Sequence, residues 1–199
     1  MSAWRQPVTL AGRHVTLRPI DRADRAALLE AFGDGLDNSF ATIVPAEATI
    51  DGWFDQIERD SAAGRAMAFT VLDSAGRVSG TTRFLRMAEP HRRLEIGGTV
   101  YARRVQRTGL NTDAKRLLLT HAFEMLGCQC VQLRTDTLNR QSRRAIERLG
   151  ARQDGVLRGH KVMPGHVRDT VVYSILAHEW PGVRRNLDAL LAGHEEALR

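Results

Sequence analysis

The sequence predicts one α/β domain built on a mixed sheet, of the α+β kind in which the strands are not all parallel. Three observations predict it. Alternating segments joined by turns fill the first half. The second half then changes to the order β-α-β-α-β-β, with strongly periodic helices between the strands. Finally, 199 residues can bury a core without disulfides or metal. No repeat, low-complexity stretch or Pro/Gly/Ser-rich linker divides the chain, so residues 1–199 are expected to form a single domain.

Residues 14–18 (HVTLR) alternate and are stopped by Pro19, which reads as a first strand. Asp24 is expected to cap a helix whose apolar positions Ala27, Leu28, Ala31 and Phe32 fall at helical spacing, ended by Gly33 and Gly35. A second helix, from about Thr49 to Ala63, places Ile50, Trp53, Phe54 and Ile57 on one face. A meander follows, with strands at 66–72, 77–86 and 93–101 and a turn at 73–76. In the third strand, alternation sets Leu94, Ile96, Gly98 and Val100 on one side and Glu95, Gly97, Thr99 and Tyr101 on the other. Asn111 or Thr112 opens a helix with Ala114, Leu117, Leu118, Ala122 and Met125 on its buried stripe, closed by Gly127. Residues 130–135 read as a strand. Asn139 starts a helix holding Ala145, Ile146 and Leu149, closed by Gly150. Strands near 153–158 and 170–176 precede a last helix from about Trp180 to Leu198.

Composition narrows the function. Hydrophobic residues are 43% and charged ones 26%, an ordinary soluble balance. No apolar run approaches the ~18 residues of a membrane span, and no export signal is visible, so a cytoplasmic protein is expected. Cys128 and Cys130 are read as free thiols, since two cysteines make neither a disulfide framework nor a four-ligand zinc site. The seven histidines show no metal-ligand spacing, so no metal is expected. The net charge of +6 points to an anionic partner. Much of it lies in two clusters: Arg103, Arg104, Arg107, Lys115 and Arg116, then Arg140, Arg143, Arg144, Arg148 and Arg152. They read as the rim of a site for something multiply phosphorylated. Nucleic acid is disfavoured, because Tyr101 and Phe123 are the only aromatics between 101 and 152.

The stretch 101–122 (YARRVQRTGLNTDAKRLLLTHA) leads from a strand through a polar, glycine-bearing turn into a long helix. Such a turn offers unpaired backbone N–H groups at the positive end of a helix dipole, which suits a pyrophosphate. Gly109 would let the backbone approach closely and take positive φ if needed. Neither nucleotide-binding fingerprint is present.

Residues 106–111 (QRTGLN) resemble the Q/R-x-x-G-x-G/A acetyl-CoA motif of the GNAT acetyltransferases, with Asn111 in place of the last Gly or Ala. The longer run from Gly109 to Gly127, with 139–142 (NRQS) and 168–174 (RDTVVYS), is similar to the RimJ/RimL-type branch. That likeness extends from residues 14–18 to 179–181. The resemblance implies helices on both faces of the mixed sheet and a splayed strand pair that takes the pantetheine of acetyl-CoA. It implies cofactor contacts at Val100, Tyr101, Gln106, Arg107, Thr108, Gly109, Leu110, Asn111, Asn139 and Ser142. Asn111 would also cap its helix, and Asn139 would serve as both cap and contact. A backbone N–H near Val100 or Tyr101 would face the thioester oxygen, unless Gly97-Gly98 marks only a bulge.

The resemblance further implies transfer of an acetyl group to a primary amine by direct attack in a ternary complex. Glu95 matches the acid of the family's E-I-G run and is the candidate general base, acting through water. The alternative for it is a structural Glu paired with an Arg across the sheet. The tyrosine that many relatives use to protonate the thiolate is replaced by Ile146, which leaves Ser142 or solvent. The acceptor implied is a protein or peptide N-terminus, with a ribosomal protein as a possible substrate. An α-amine, with a pKa near 7.7–8.0, is roughly a tenth neutral at pH 7 and needs less help than a lysine. A small amine such as an antibiotic or polyamine is the alternative, and a ribosome- or RNA-associated module is a third. A homodimer is possible. His121 is expected to be packed, and His160 and His166 to lie in a loop between the last strands, with contact to the acceptor as the lesser alternative.

Overall fold

A computed structural model of the chain describes residues 2–33, 44–163 and 165–196. Strands β1 (Leu10–Ala11), β2 (Val15–Pro19), β3 (Met67–Asp73), β4 (Val78–Ala88), β5 (Arg93–Tyr101), β6 (Cys130–Asp136), β7 (Arg152–Met163) and β8 (His166–Leu176) form one sheet in the order β1-β2-β3-β4-β5-β6-β8-β7. Among the described residues every neighbouring pair is antiparallel except β5–β6. The mixed sheet is therefore as expected. The helices are α1 (Arg25–Phe32), α2 (Ile50–Ala62), α3 (Leu110–Thr120), α4 (Arg140–Arg148) and α5 (Trp180–Glu196). Gly35 and Leu198, expected near helix ends, lie outside the described residues.

Two cores follow from the two faces. On one, Leu110, Ala114, Leu118 and Leu119 of α3 pack with Ile146 and Leu149 of α4 and with Trp180, Val183 and Leu187 of α5. They cover Phe69, Phe84, Leu94, Ile96, Val131, Leu133, Tyr173 and Ile175. On the other, Leu28 and Phe32 of α1 meet Ile50 and Phe54 of α2 over Val100. Burying one apolar side chain of this size contributes about 1.5–3 kcal/mol, so each helix is held mainly by its stripe.

Local expectations failed where tertiary contacts intervened. Asp24 occupies the N-cap position of α1 but makes no capping bond to that helix. Its carboxylate instead pairs with Arg18 and accepts from Thr70 Oγ1 at 2.6 Å. After Thr120 the α3 helix widens into a π turn over His121–Met125, with the Leu126 N–H bonding to the His121 carbonyl at 3.0 Å. The wider turn rotates Met125 off the stripe, and it is 68% exposed. Strands β7 and β8 are longer than expected, and their hairpin carries His160 and His166 inside strands rather than in a loop. Residues 161–163 pair with β8 beyond an irregularity at 158–160 and are little buried, so periodicity gave no signal for them.

Candidate active site

Strands β5 and β6 pair only at Arg93–Cys130, Leu94–Val131 and Glu95–Gln132. Beyond that point β5 runs on to Tyr101 alongside β4, while β6 follows β8 to Asp136. The parallel pair thus opens into a cleft whose apex is Glu95. On the β4 side, Arg83 stands opposite Gly97 and Thr81 opposite Val100, so β5 holds one extra residue there. Gly98 makes this bulge at φ +56°, and a Cβ on it would lie 3.1 Å from Arg83 Nε.

The bulge reverses the faces of β5. Leu94 and Ile96 share the α3 face as expected, but Val100 crosses to the α1/α2 face. Thr99 moves the opposite way. Its hydroxyl meets Thr82 Oγ1 at 2.8 Å and accepts from Lys115 Nζ of α3 at 2.9 Å. Glu95 therefore does not share a face with Thr99 and Tyr101, contrary to simple alternation.

The turn after β5 is built to expose its donors. Arg107 sits at φ +61°, and the Gln106 side chain turns back to donate to the Tyr101 carbonyl at 3.0 Å. Thr108 Oγ1 donates to the Val105 carbonyl at 2.7 Å and accepts from the Leu110 N–H at 3.2 Å. Among the described residues, the N–H groups of Arg107, Thr108, Gly109, Asn111 and Thr112 have no protein acceptor. Unpaired N–H groups at a helix start suit an anion such as a pyrophosphate. Two details differ from expectation. The residue at the N-cap of α3 is Gly109, and Asn111 lies inside the first turn. Gly109 has an ordinary φ of −64°; what crowds a larger residue there is the His14 ring, which would lie 3.1 Å from a Cβ. Leu110, also expected at the cofactor, has its N–H donated to Thr108 Oγ1 and its side chain in the core.

At the other side of the cleft, Asn139 caps α4 by accepting from the Ser142 N–H at 2.9 Å. The Ser142 hydroxyl is half-buried and, among the described residues, has no protein partner. The two arginine clusters are less uniform than their sequence implied. Arg104 is paired with Asp73, Arg116 with Asp188 and Arg152 with Glu179, and Arg148 donates to Thr112. Arg103, Arg107, Arg140 and Arg144 make no ion pair or hydrogen bond among the described residues. Lys115 is not part of the rim. It is only 6% exposed, and burial pushes its pKa down to about 7. The Tyr101 hydroxyl is also buried, without a hydrogen-bond partner among the described residues, and burial raises its pKa.

On the α1/α2 face, past the edge of those helices, Glu95 is 7% exposed. Its carboxylate accepts from Arg86 Nε at 2.9 Å and lies 3.2 Å from Arg134 Nε. Arg168 and Lys161 stand nearby on β8 and β7. His160 Nδ1 contacts Thr170 Oγ1 at 2.9 Å, and His166 Nε2 contacts Asp136 at 2.9 Å. His121 is packed as expected, with its ring stacked on Phe84. The sequence reading missed Arg86, Arg134, Lys161 and Arg168. The polar alternation Gln132, Arg134, Asp136 was the available signal for a solvated face on β6. Cys128 and Cys130 are both free, with the buried Cys128 thiol pushed up to about 12.

Comparison with known proteins agrees with this fold. The family model described as an acetyltransferase (GNAT) domain matches residues 14–152. A Bacillus subtilis (strain 168) protein, provisionally named as the ribosomal N-acetyltransferase YdaF, is 33% identical over 107 residues. That match covers 54% of this chain and 58% of that protein, little more than half of either. Among solved structures, a GCN5-related N-acetyltransferase from Brucella melitensis superposes with a TM-score of 0.83 at 28% identity, over 94% of this chain and 86% of that one. Mycobacterium smegmatis RimJ, solved with CoA-disulfide, shares the fold with a TM-score of 0.81 at 21% identity, over 96% and 97% of the two chains.

Proposed function

Since the chain belongs to the GNAT acetyltransferases, we propose that it moves an acetyl group from acetyl-CoA to a primary amine, the α-amine of a protein or peptide N-terminus. One observation carries the reading: the cleft opened by β5 and β6 has a buried carboxylate at its apex and a nest of five unpaired N–H groups at the turn that follows β5. Direct transfer needs an anion hold for the donor and a carboxylate near its far end, and here that carboxylate is Glu95, held in place by Arg86 and Arg134. The name of the B. subtilis relative supports a ribosomal-protein N-terminus as acceptor.

In this reading the N–H groups of Arg107, Thr108, Gly109, Asn111 and Thr112 hold the pyrophosphate. The unpaired arginines 103, 107, 140 and 144 complement the remaining phosphate charge. The Gln106 side chain acts indirectly, by bracing the turn against Tyr101. Asn139 and Ser142 flank the thioester end of the arm. The amine nitrogen attacks the thioester carbon while an N–H of Val100 or Tyr101 donates to the developing oxyanion. Glu95 takes the amine proton through a water. The C–S bond then breaks, and the thiolate is protonated by Ser142 or by solvent.

The test is acetyl transfer, read by mass spectrometry, to a mixed panel of short peptides, polyamines and aminoglycosides. Acetylation confined to peptide α-amines is expected; acetylation of small amines alone would discard the N-terminal reading. Glu95→Gln should lower kcat by roughly a hundredfold or more, the scale of general-base catalysis, with little change in acetyl-CoA affinity. Equal turnover in that variant would remove Glu95 from the mechanism.

A further inference from the structure

Helices α1 and α2 pack on β3, β4 and β5, and beyond their edge, among the described residues, the same face continues across β6, β8 and β7 with Asp136 and Thr170 buried and Lys161 exposed. The pairing register identifies what stands there. Gln132, Arg134 and Asp136 of β6 lie opposite Ser174, Val172 and Thr170 of β8, and two residues further along β8 comes Arg168. Arg168 in turn lies directly opposite Lys161 of β7. Arg86 of β4 reaches the same area through Glu95. Arg86, Arg134, Lys161 and Arg168 thus gather around the carboxylates of Glu95 and Asp136, while further along the face Ser174 Oγ donates to Asp154 at 2.7 Å beside Arg152.

Both carboxylates are already engaged. Glu95 is shared by Arg86 and Arg134. Asp136 faces His166 and accepts the Leu138 N–H at 2.9 Å. Arg168 spends its Nε on the neutral Thr170 hydroxyl at 3.0 Å, and Lys161 makes no ion pair or hydrogen bond among the described residues. Like charges directly opposite on antiparallel strands repel and destabilise the pair. The repulsion registers in the titration of Lys161, whose pKa is lowered by partial burial first and then by Arg168 and Arg86. This repulsive pair stands beside the carboxylate at the apex of the cleft, where an acceptor amine would arrive.

Resting on the acetyltransferase reading above, we propose that the acceptor is anionic: its amine is followed closely by a carboxylate, which seats between Lys161 and Arg168. A peptide whose second or third residue is Asp or Glu has this chemistry. The attacking amine itself must be neutral. A cationic wall repels the ammonium form and any basic residue behind it, while it attracts the acid.

The experiment uses one peptide series, identical except for Glu, Gln or Lys after the first residue, and compares kcat/KM for acetyl transfer. A parallel pair of small amines, one bearing a carboxylate and one its amide, distinguishes the source of the charge. Two partly exposed charge pairs predict a preference of roughly tenfold for Glu over Gln, carried mainly by KM and weakened by salt. Lys161→Gln, at an exposed strand position, should cut that ratio about three- to fivefold, and Lys161→Glu should turn the preference toward the Lys peptide. Arg168→Gln should act in the same direction. Equal or reversed preference in the wild-type protein would overturn the inference and leave the acetyltransferase reading intact. A carboxylate preference seen only among the small amines would support the inference and discard the N-terminal acceptor. If nothing is acetylated, calorimetric binding of the N-acetylated Glu and Gln peptides in the presence of CoA decides. Tighter binding of the Glu form supports an anion seat, and equal binding removes it.

Discussion

Replacing Lys115 by Met should raise stability at neutral pH and flatten its dependence on pH. The ammonium of Lys115 lies under the sheet with one neutral partner, the Thr99 hydroxyl, and no carboxylate among the described residues. Its pKa in the folded chain is about 7, against about 10.4 for an unfolded lysine. Between those values the unfolded chain binds more protons, so stability rises with pH through the window from about 7 to about 10. At about 1.4 kcal/mol per unit, the destabilisation is about 4 kcal/mol at pH 7 and about 2 kcal/mol at pH 9, so stability gains about 2 kcal/mol over that interval. Below pH 7 the full cost applies. Met fills a similar volume without the charge and gives up one hydrogen bond, a loss of about 1 kcal/mol that does not vary with pH. Urea unfolding of both proteins at pH 7 and pH 9 reads the effect as a difference of differences. The advantage of Lys115→Met over wild type should be about 2 kcal/mol larger at pH 7 than at pH 9. Equal advantages at the two pH values would refute the assignment of a buried, near-neutral amine.

Gly109→Val sets a Cβ 3.1 Å from His14 Cδ2, tight enough that the ring or the turn must shift, and its two methyl groups add to the crowding. The nest should distort and acetyl-CoA affinity fall by at least roughly tenfold, on the scale of one or two charge-assisted hydrogen bonds; unchanged affinity by calorimetry would sink the pyrophosphate assignment. Asn139→Ala removes the cap to the Ser142 N–H and should cost about 1 kcal/mol in urea unfolding. Asn139→Asp keeps the cap, so weaker acetyl-CoA binding in that variant alone would show a contact beyond capping, and unchanged binding would limit Asn139 to the helix. Ser142→Ala should lower kcat at neutral pH and recover toward high pH if the hydroxyl protonates the thiolate. A superimposable pH profile would assign that proton to solvent.

Much of this fold was legible in local sequence. The stripes of α2 and α4, the Asn139 cap and the turn from β5 into α3 each depend on neighbours a few residues apart, and the chain writes those relations directly. The family resemblance was equally local, carried by the run from Gln106 to Gly127. What the sequence could not determine is how distant strands meet. Alternation placed Glu95 with Thr99 and Tyr101, but one extra residue at Gly98, fixed by pairing with β4, turned those side chains to the opposite face. The sequence presented Lys115 as one more surface charge, whereas the packing of α3 against β5 buried it beneath Thr99. Arg86, Arg134, Lys161 and Arg168 come from four different strands. Only the order β4-β5-β6-β8-β7 gathers them around one carboxylate, because strand order and register are set by long-range pairing and not by the residues beside each charge.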